Sequence, residues 1–141
     1  MRRFPVQPRS SMARILLIDD DDSVRTMLRL TLAKFGHPVV EARNGKEGLK
    51  LFAAVDFDLV ITDLVMPETE GFEVLGALRK QIPRVKVLVI TGGLRGSVVN
   101  FREMALHLGA DRVLAKPFSN DEFIATVNEL LAGASLSAPK V

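Results

Sequence analysis

Five short aliphatic runs, ARILLID, PVVEA, DLVITD, VKVLVIT and RVLAK, recur along the chain, each followed by a longer stretch of helical period. A run such as VLVI offers no polar face, so as a strand it must be covered on both sides. Strands that alternate with helices pair in parallel, because the helix itself carries the chain back across the sheet. After the first run, Val24, Leu28, Thr31, Leu32 and Phe35 recur at helical spacing, and Gly36 with Pro38 closes that helix. A second helix is expected from Gly45 to Val55, and a third is marked by Phe72, Leu75, Leu78 and Ile82. A fourth spans residues 97–108 and ends at Gly109; Ser119 with Glu122 forms a capping box for a fifth that reaches about Ala132. The fold class is therefore α/β: one five-stranded parallel sheet with helices on both faces, without internal repeat or second domain.

A chain of 141 residues with 48% hydrophobic content can bury a sizeable core. No apolar run approaches a membrane span, and with no cysteine there is neither a disulfide framework nor a thiolate metal site. A cytoplasmic setting is expected. The pI of 9.2 invites a nucleic-acid partner. Yet Arg2, Arg3, Arg9 and Arg14 account for the excess charge of +2 and leave the remainder at −2. Trp and Tyr are absent as stacking platforms, so neither a nucleic-acid nor a membrane partner is expected. Residues 1–13 read as a disordered basic extension, residues 14–132 as the folded domain, and residues 133–141 as a flexible tail.

The first run ends in ILLIDDDD, four apolar residues followed directly by four carboxylates. One aspartate suffices to cap a helix, whereas packed carboxylates repel one another, so the cluster implies either a compensating cation or full exposure. Ligands of a parallel α/β sheet gather beyond the carboxyl ends of its strands. Asp19 and Asp20 end the first strand, Asp63 the third, Thr91 the fourth and Lys116 the fifth. Each alone could be a loop or surface residue; together they converge on one pocket. Asp21 and Asp22 are assigned to the helix N-terminus instead.

In ILLIDD, DLVITDLVMPETEG, VLVITGG and LAKPF, in that order, the sequence resembles the receiver domains of two-component response regulators. The resemblance covers Arg14 to about Leu131. It implies a flavodoxin-like (βα)5 fold with strand order 2-1-3-4-5, and Asp63 as phosphoacceptor. It further implies Mg2+ held by Asp19, Asp20, Asp63 and the backbone carbonyl of Val65, with Thr91 and Lys116 contacting the phosphoryl group. The chemistry is consistent with this: phosphoryl transfer needs positioning and charge neutralisation, and magnesium favours a few carboxylates with phosphate oxygens and water.

Two features depart from the family pattern. Val113 stands where receivers commonly carry an aromatic residue that moves with the threonine, and GGLRGS after Thr91 is unusually glycine-rich. The rearrangement on phosphorylation is accordingly expected in that loop, at Gly92, Gly93 and Gly96. As implied partners, a histidine kinase or histidine phosphotransfer protein supplies the phosphoryl group, and a downstream protein reads it, with a phosphorylation-dependent homodimer as an option. A stand-alone receiver is expected, with Arg95, Arg102 and Arg112 giving its output face positive character or serving as ordinary solvated charge. Two alternatives stay open. DDDDSV also fits a haloacid dehalogenase-like phosphohydrolase with Asp19 as nucleophile and Asp21 as general acid, and the fold could serve as a constitutive binding module without phosphorylation.

Overall fold

The computed structural model describes residues 13–64, 70–81, 84–92 and 101–136. Ten elements alternate as expected: β1 (Ile15–Ile18), α1 (Asp22–Lys34), β2 (Val39–Ala42), α2 (Gly45–Ala54), β3 (Leu59–Asp63), α3 (Glu70–Arg79), β4 (Lys86–Thr91), α4 (Phe101–His107), β5 (Arg112–Ala115) and α5 (Asn120–Leu136). The strands form one parallel sheet in the order β2-β1-β3-β4-β5. Ile15 pairs in register with both Val39 and Leu59, which makes β1 an interior strand.

The two-residue period of a strand divides the core in two. Ile15 and Leu17 point to one face with Leu59, Ile61, Leu88 and Ile90, where Leu28 and Leu32 of α1 and Phe123 and Val127 of α5 cover them. Leu16 and Ile18 point to the other with Val60, Val87 and Val89, against Leu75 and Leu78 of α3 and Ala105 of α4. Each of these large aliphatic side chains contributes roughly 1.5–3 kcal/mol on leaving water.

Local chemistry sets the helix starts. The Asp21 carboxylate caps α1 by accepting from the backbone N–H of Ser23 and Val24, and Asn44 caps α2 by accepting from Glu47. Ser119 accepts from the N–H of Glu122, the half of the expected capping box that faces the helix. Gly36 ends α1 in the left-handed region, at φ +84°.

Some expectations shift. Phe35 is 47% exposed rather than part of the apolar face, because α1 ends at Lys34 and Phe35 is already its C-cap. The fifth helix runs to Leu136, beyond the expected end near Ala132. Ile82, Arg95, Val65, the glycines Gly93 and Gly96, and the segments 1–12 and 137–141 lie outside the described residues.

Between β3 and α3 one close approach brings the helix start against the residue that follows Asp63. A Cβ at Gly71 would lie 2.1 Å from the carbonyl oxygen of Leu64, the residue after Asp63. Only glycine lets α3 begin that near the end of β3. Gly71→Ala is expected to lower the unfolding free energy by roughly 1–3 kcal/mol, as overpacking does, measured by urea denaturation; an unchanged midpoint would mean that the start of α3 yields freely.

Candidate functional site

Asp19, Asp20, Asp63, Thr91 and Lys116 all lie at the carboxyl ends of β1, β3, β4 and β5. β1 and β3 are neighbours, yet the chain leaves β1 toward β2 on one side and later returns to β3 on the other. The order of the sheet reverses there, and the helices that follow diverge to leave a crevice.

Three carboxylates meet in that crevice. Asp19, Asp20 and Asp63 each offer a carboxylate oxygen, and these oxygens lie within 4.8 Å of one another. Asp19 and Asp63 are buried and Asp20 is exposed. The Nζ of Lys116 stands 3.5 Å from Oδ2 of Asp63. Thr91 is 3% exposed and ends β4, in register with Ala115 beside Lys116. The Leu64 N–H donates to Ile90 O and the Lys116 N–H to Thr91 O, which carries sheet pairing just past the strand ends and holds these residues in place. The Lys116–Pro117 peptide bond is cis.

Asp19 shows the electrostatic cost of the cluster. Its carboxyl is pushed up from 3.8 to about 6, chiefly by burial, with the charges of Asp63 and Asp20 adding to the effect. The Asp21 N–H, which donates to Asp19 Oδ1 at 2.9 Å, and Lys116 oppose it. One lysine therefore does not neutralise three carboxylates. A hard, oxygen-only donor set with uncompensated negative charge suits a small divalent cation such as Mg2+.

The sequence of receiver domains supplies the matching pattern: the family profile described as response regulator receiver domain matches residues 15–128. The chain belongs to that family. Response regulator MprA of Mycolicibacterium vanbaalenii is 41% identical to this receiver domain over 118 residues, covering 84% of this chain and 50% of that protein. The alkaline phosphatase synthesis transcriptional regulatory protein PhoP of Bacillus subtilis is 33% identical over 126 residues, 89% of this chain and 51% of that protein. Among solved structures, a CheY-like receiver domain protein from Methanospirillum hungatei JF-1 superposes with a TM-score of 0.79 at 30% identity, covering 89% of this chain and 98% of that one. The receiver chain thus spans about half the length of the curated relatives it matches, and the activities of those whole proteins are not assigned to it. Receiver domains are signalling domains rather than classical enzymes, and they bind Mg2+ at an acidic pocket.

Other polar groups take structural places. Asp21 is the α1 cap and Asp22 lies in the first turn of α1, the helix-N-terminal place assigned to both from the sequence; Asp22 in addition pairs with Arg25. Arg112 pairs with Glu129, and Arg102 donates to the Val113 carbonyl, so both are engaged within the domain. Val113 itself is buried. Sequence reasoning missed Arg25, which is buried in α1 and bonded to the Asp19 carbonyl. Its signal was an arginine on the helical face defined by Leu28 and Leu32. No helix of the described residues is long and apolar enough to cross a membrane.

The Asp19 shift predicts a pH dependence. Between pH 3.8 and about 6 the folded form retains a proton that the unfolded chain has lost. Stability contributed by this group is therefore greatest below its unfolded value and falls as pH rises toward 6, by up to roughly 3 kcal/mol. In a chelator, urea unfolding should show this fall, and Asp19→Asn should remove it and raise stability at neutral pH. A parent protein that gains stability across this interval in step with Asp19 ionisation would contradict it.

Proposed function

We propose that this receiver domain accepts a phosphoryl group on Asp63 from a histidine kinase or histidine phosphotransfer protein, in a Mg2+-dependent reaction. The observation that carries the proposal is the placing of Asp63 at the end of β3, 3.5 Å from Lys116 and within 4.8 Å of Asp19 and Asp20. A carboxylate oxygen of Asp63 attacks phosphorus as the bond to the donor nitrogen breaks, and the electron pair leaves with the imidazole. Lys116 balances charge on the incoming oxygens, and the Thr91 hydroxyl turns to donate to one of them. Asp19 and Asp20 would hold the cation with Asp63 and the Val65 carbonyl. When bound, Mg2+ supplies charge neutralisation between carboxylates and phosphoryl oxygens.

In this proposal phosphorylation changes affinity for a downstream protein, or the phosphoryl group passes on to a relay histidine, in the cytoplasm. Several relatives are named as transcriptional regulators, and the match to this chain covers about half of each. Against the hydrolase alternative, Asp21 would have to be the general acid, whereas its carboxylate holds the Ser23 and Val24 N–H groups. The constitutive-module alternative has no use for three clustered carboxylates and a facing lysine.

With acetyl phosphate and Mg2+ the protein is expected to gain one phosphoryl group, trapped by borohydride at Asp63, and Asp63→Asn to abolish it while still folding. Intact-mass measurement decides; label on Asp19 with continuing phosphate release would establish the hydrolase instead. The switch has its own test. With Val113 in place of an aromatic ring, a beryllium fluoride phosphoryl mimic should change amide hydrogen exchange little in β5, since no large side chain exchanges buried surface there. Extensive change in β5 would refute this account of the output step.

A further inference from the structure

Arg25 sits where a hydrophobic residue would be expected. It is 8% exposed, one turn before Leu28 on the face of α1 that packs against the sheet. A buried guanidinium is costly unless every donor direction is used. Here Nη1 donates to the Asp19 carbonyl at 2.7 Å, Nη2 to Asp22 Oδ1 at 2.6 Å and Nε to Glu41 Oε1 at 3.0 Å. The other Glu41 oxygen lies 2.8 Å from Nε of Arg29, so Glu41 of β2 lies between two guanidinium groups of α1.

These three contacts are not equivalent. The Asp22 side chain is 82% exposed and that of Glu41 one-third exposed, so water could replace Arg25 at either. The bond to the Asp19 carbonyl is buried. That carbonyl belongs to the rigid peptide plane joining Asp19 to Asp20. Asp19 is also held by its N–H, which donates to Ala42 O at 3.2 Å, and by its carboxylate, which accepts from the Asp21 N–H. Asp20 is exposed, and its aim toward Asp63 depends on the direction in which the backbone leaves Asp19.

We propose that Arg25 is a positioning residue: it locks the Asp19–Asp20 peptide plane and so aims both carboxylates at the divalent cation beside Asp63. This rests on the metal-assisted phosphoacceptor site proposed above. Partners that orient ligating groups from behind typically govern metal affinity by about 10–100-fold, and the planar fork of arginine does this in a way a lysine ammonium does not.

The test is calorimetric titration of the full chain with Mg2+ alone, with folding checked by circular dichroism. Arg25→Met should bind Mg2+ about 10–100-fold more weakly. The Mg2+ concentration giving half-maximal labelling by acetyl phosphate should rise by the same factor, while the rate at saturating Mg2+ changes much less. Arg25→Lys should not rescue binding. Glu41→Gln, which leaves the Asp19 carbonyl bond available, should bind Mg2+ much as the parent does. Parent-like binding by Arg25→Met, rescue by lysine, or an equal loss in Glu41→Gln would each overturn the proposal. If Arg25→Met does not fold, Arg25→Lys decides on the same titration. A parent chain that binds Mg2+ but is not labelled at Asp63 sinks the phosphoacceptor reading while the titration still judges Arg25; a parent that binds no Mg2+ overturns both.

Discussion

Mutual repulsion among Asp19, Asp20 and Asp63 is the problem around which the upper end of the sheet is built. Two of the three are buried, all lie within 4.8 Å of one another, and one lysine faces them. A fold with only this cluster to consider would be better off without it, as the raised Asp19 carboxyl shows. The unfavourable charge is tolerated because the rest of the domain is heavily apolar and holds the strand ends rigidly. It is also what makes the site responsive. A group of like charges poised beside a cation changes its energy sharply when a cation or phosphoryl group arrives, whereas a neutralised site would respond little.

Rigidity comes from outside the crevice. β1 lies between β2 and β3, Asp19 is held by hydrogen bonds from three directions, and Gly71 lets α3 start against Leu64. None of these contacts supplies chemistry. Their effect is to leave the carboxylates few ways to relax apart, so electrostatic strain is retained instead of being dissipated by side-chain movement. The network of Arg25, Asp22, Glu41 and Arg29 extends this support to the edge strand β2, linking the acidic pair to the outer face of α1.

Much of this was legible in the chain. Uninterrupted aliphatic runs dictated strands buried on both faces, the intervening helical periods dictated parallel pairing, and both follow from local patterns that tertiary contacts had no reason to override. A helix-N-terminal role for Asp21 and Asp22 was legible for the same reason, since such residues act on their immediate neighbours; that Asp21 is the cap itself came from the structure. The polar residues at the strand ends could be gathered into one site because a parallel sheet brings all its carboxyl ends to one edge.

Three-dimensional packing decided what depends on distance between segments remote in sequence. Phe35 belongs to the apolar period of α1 on paper, but the helix stops one residue earlier and leaves the ring half exposed. Arg25 drew no reading from the sequence; only the approach of Glu41 from β2 and the turn of the backbone at Asp19 make it a buried hub. The reason for a glycine at position 71 is the Leu64 carbonyl 2.1 Å from where a side chain would begin, a contact between segments that no local pattern announces. The sequence by itself determined which residues are strands, helices and candidate ligands, because periodicity and side-chain chemistry are local properties. The tertiary structure alone decided how closely the carboxylates are held and what holds them, because burial and distance exist only once the five strands lie side by side.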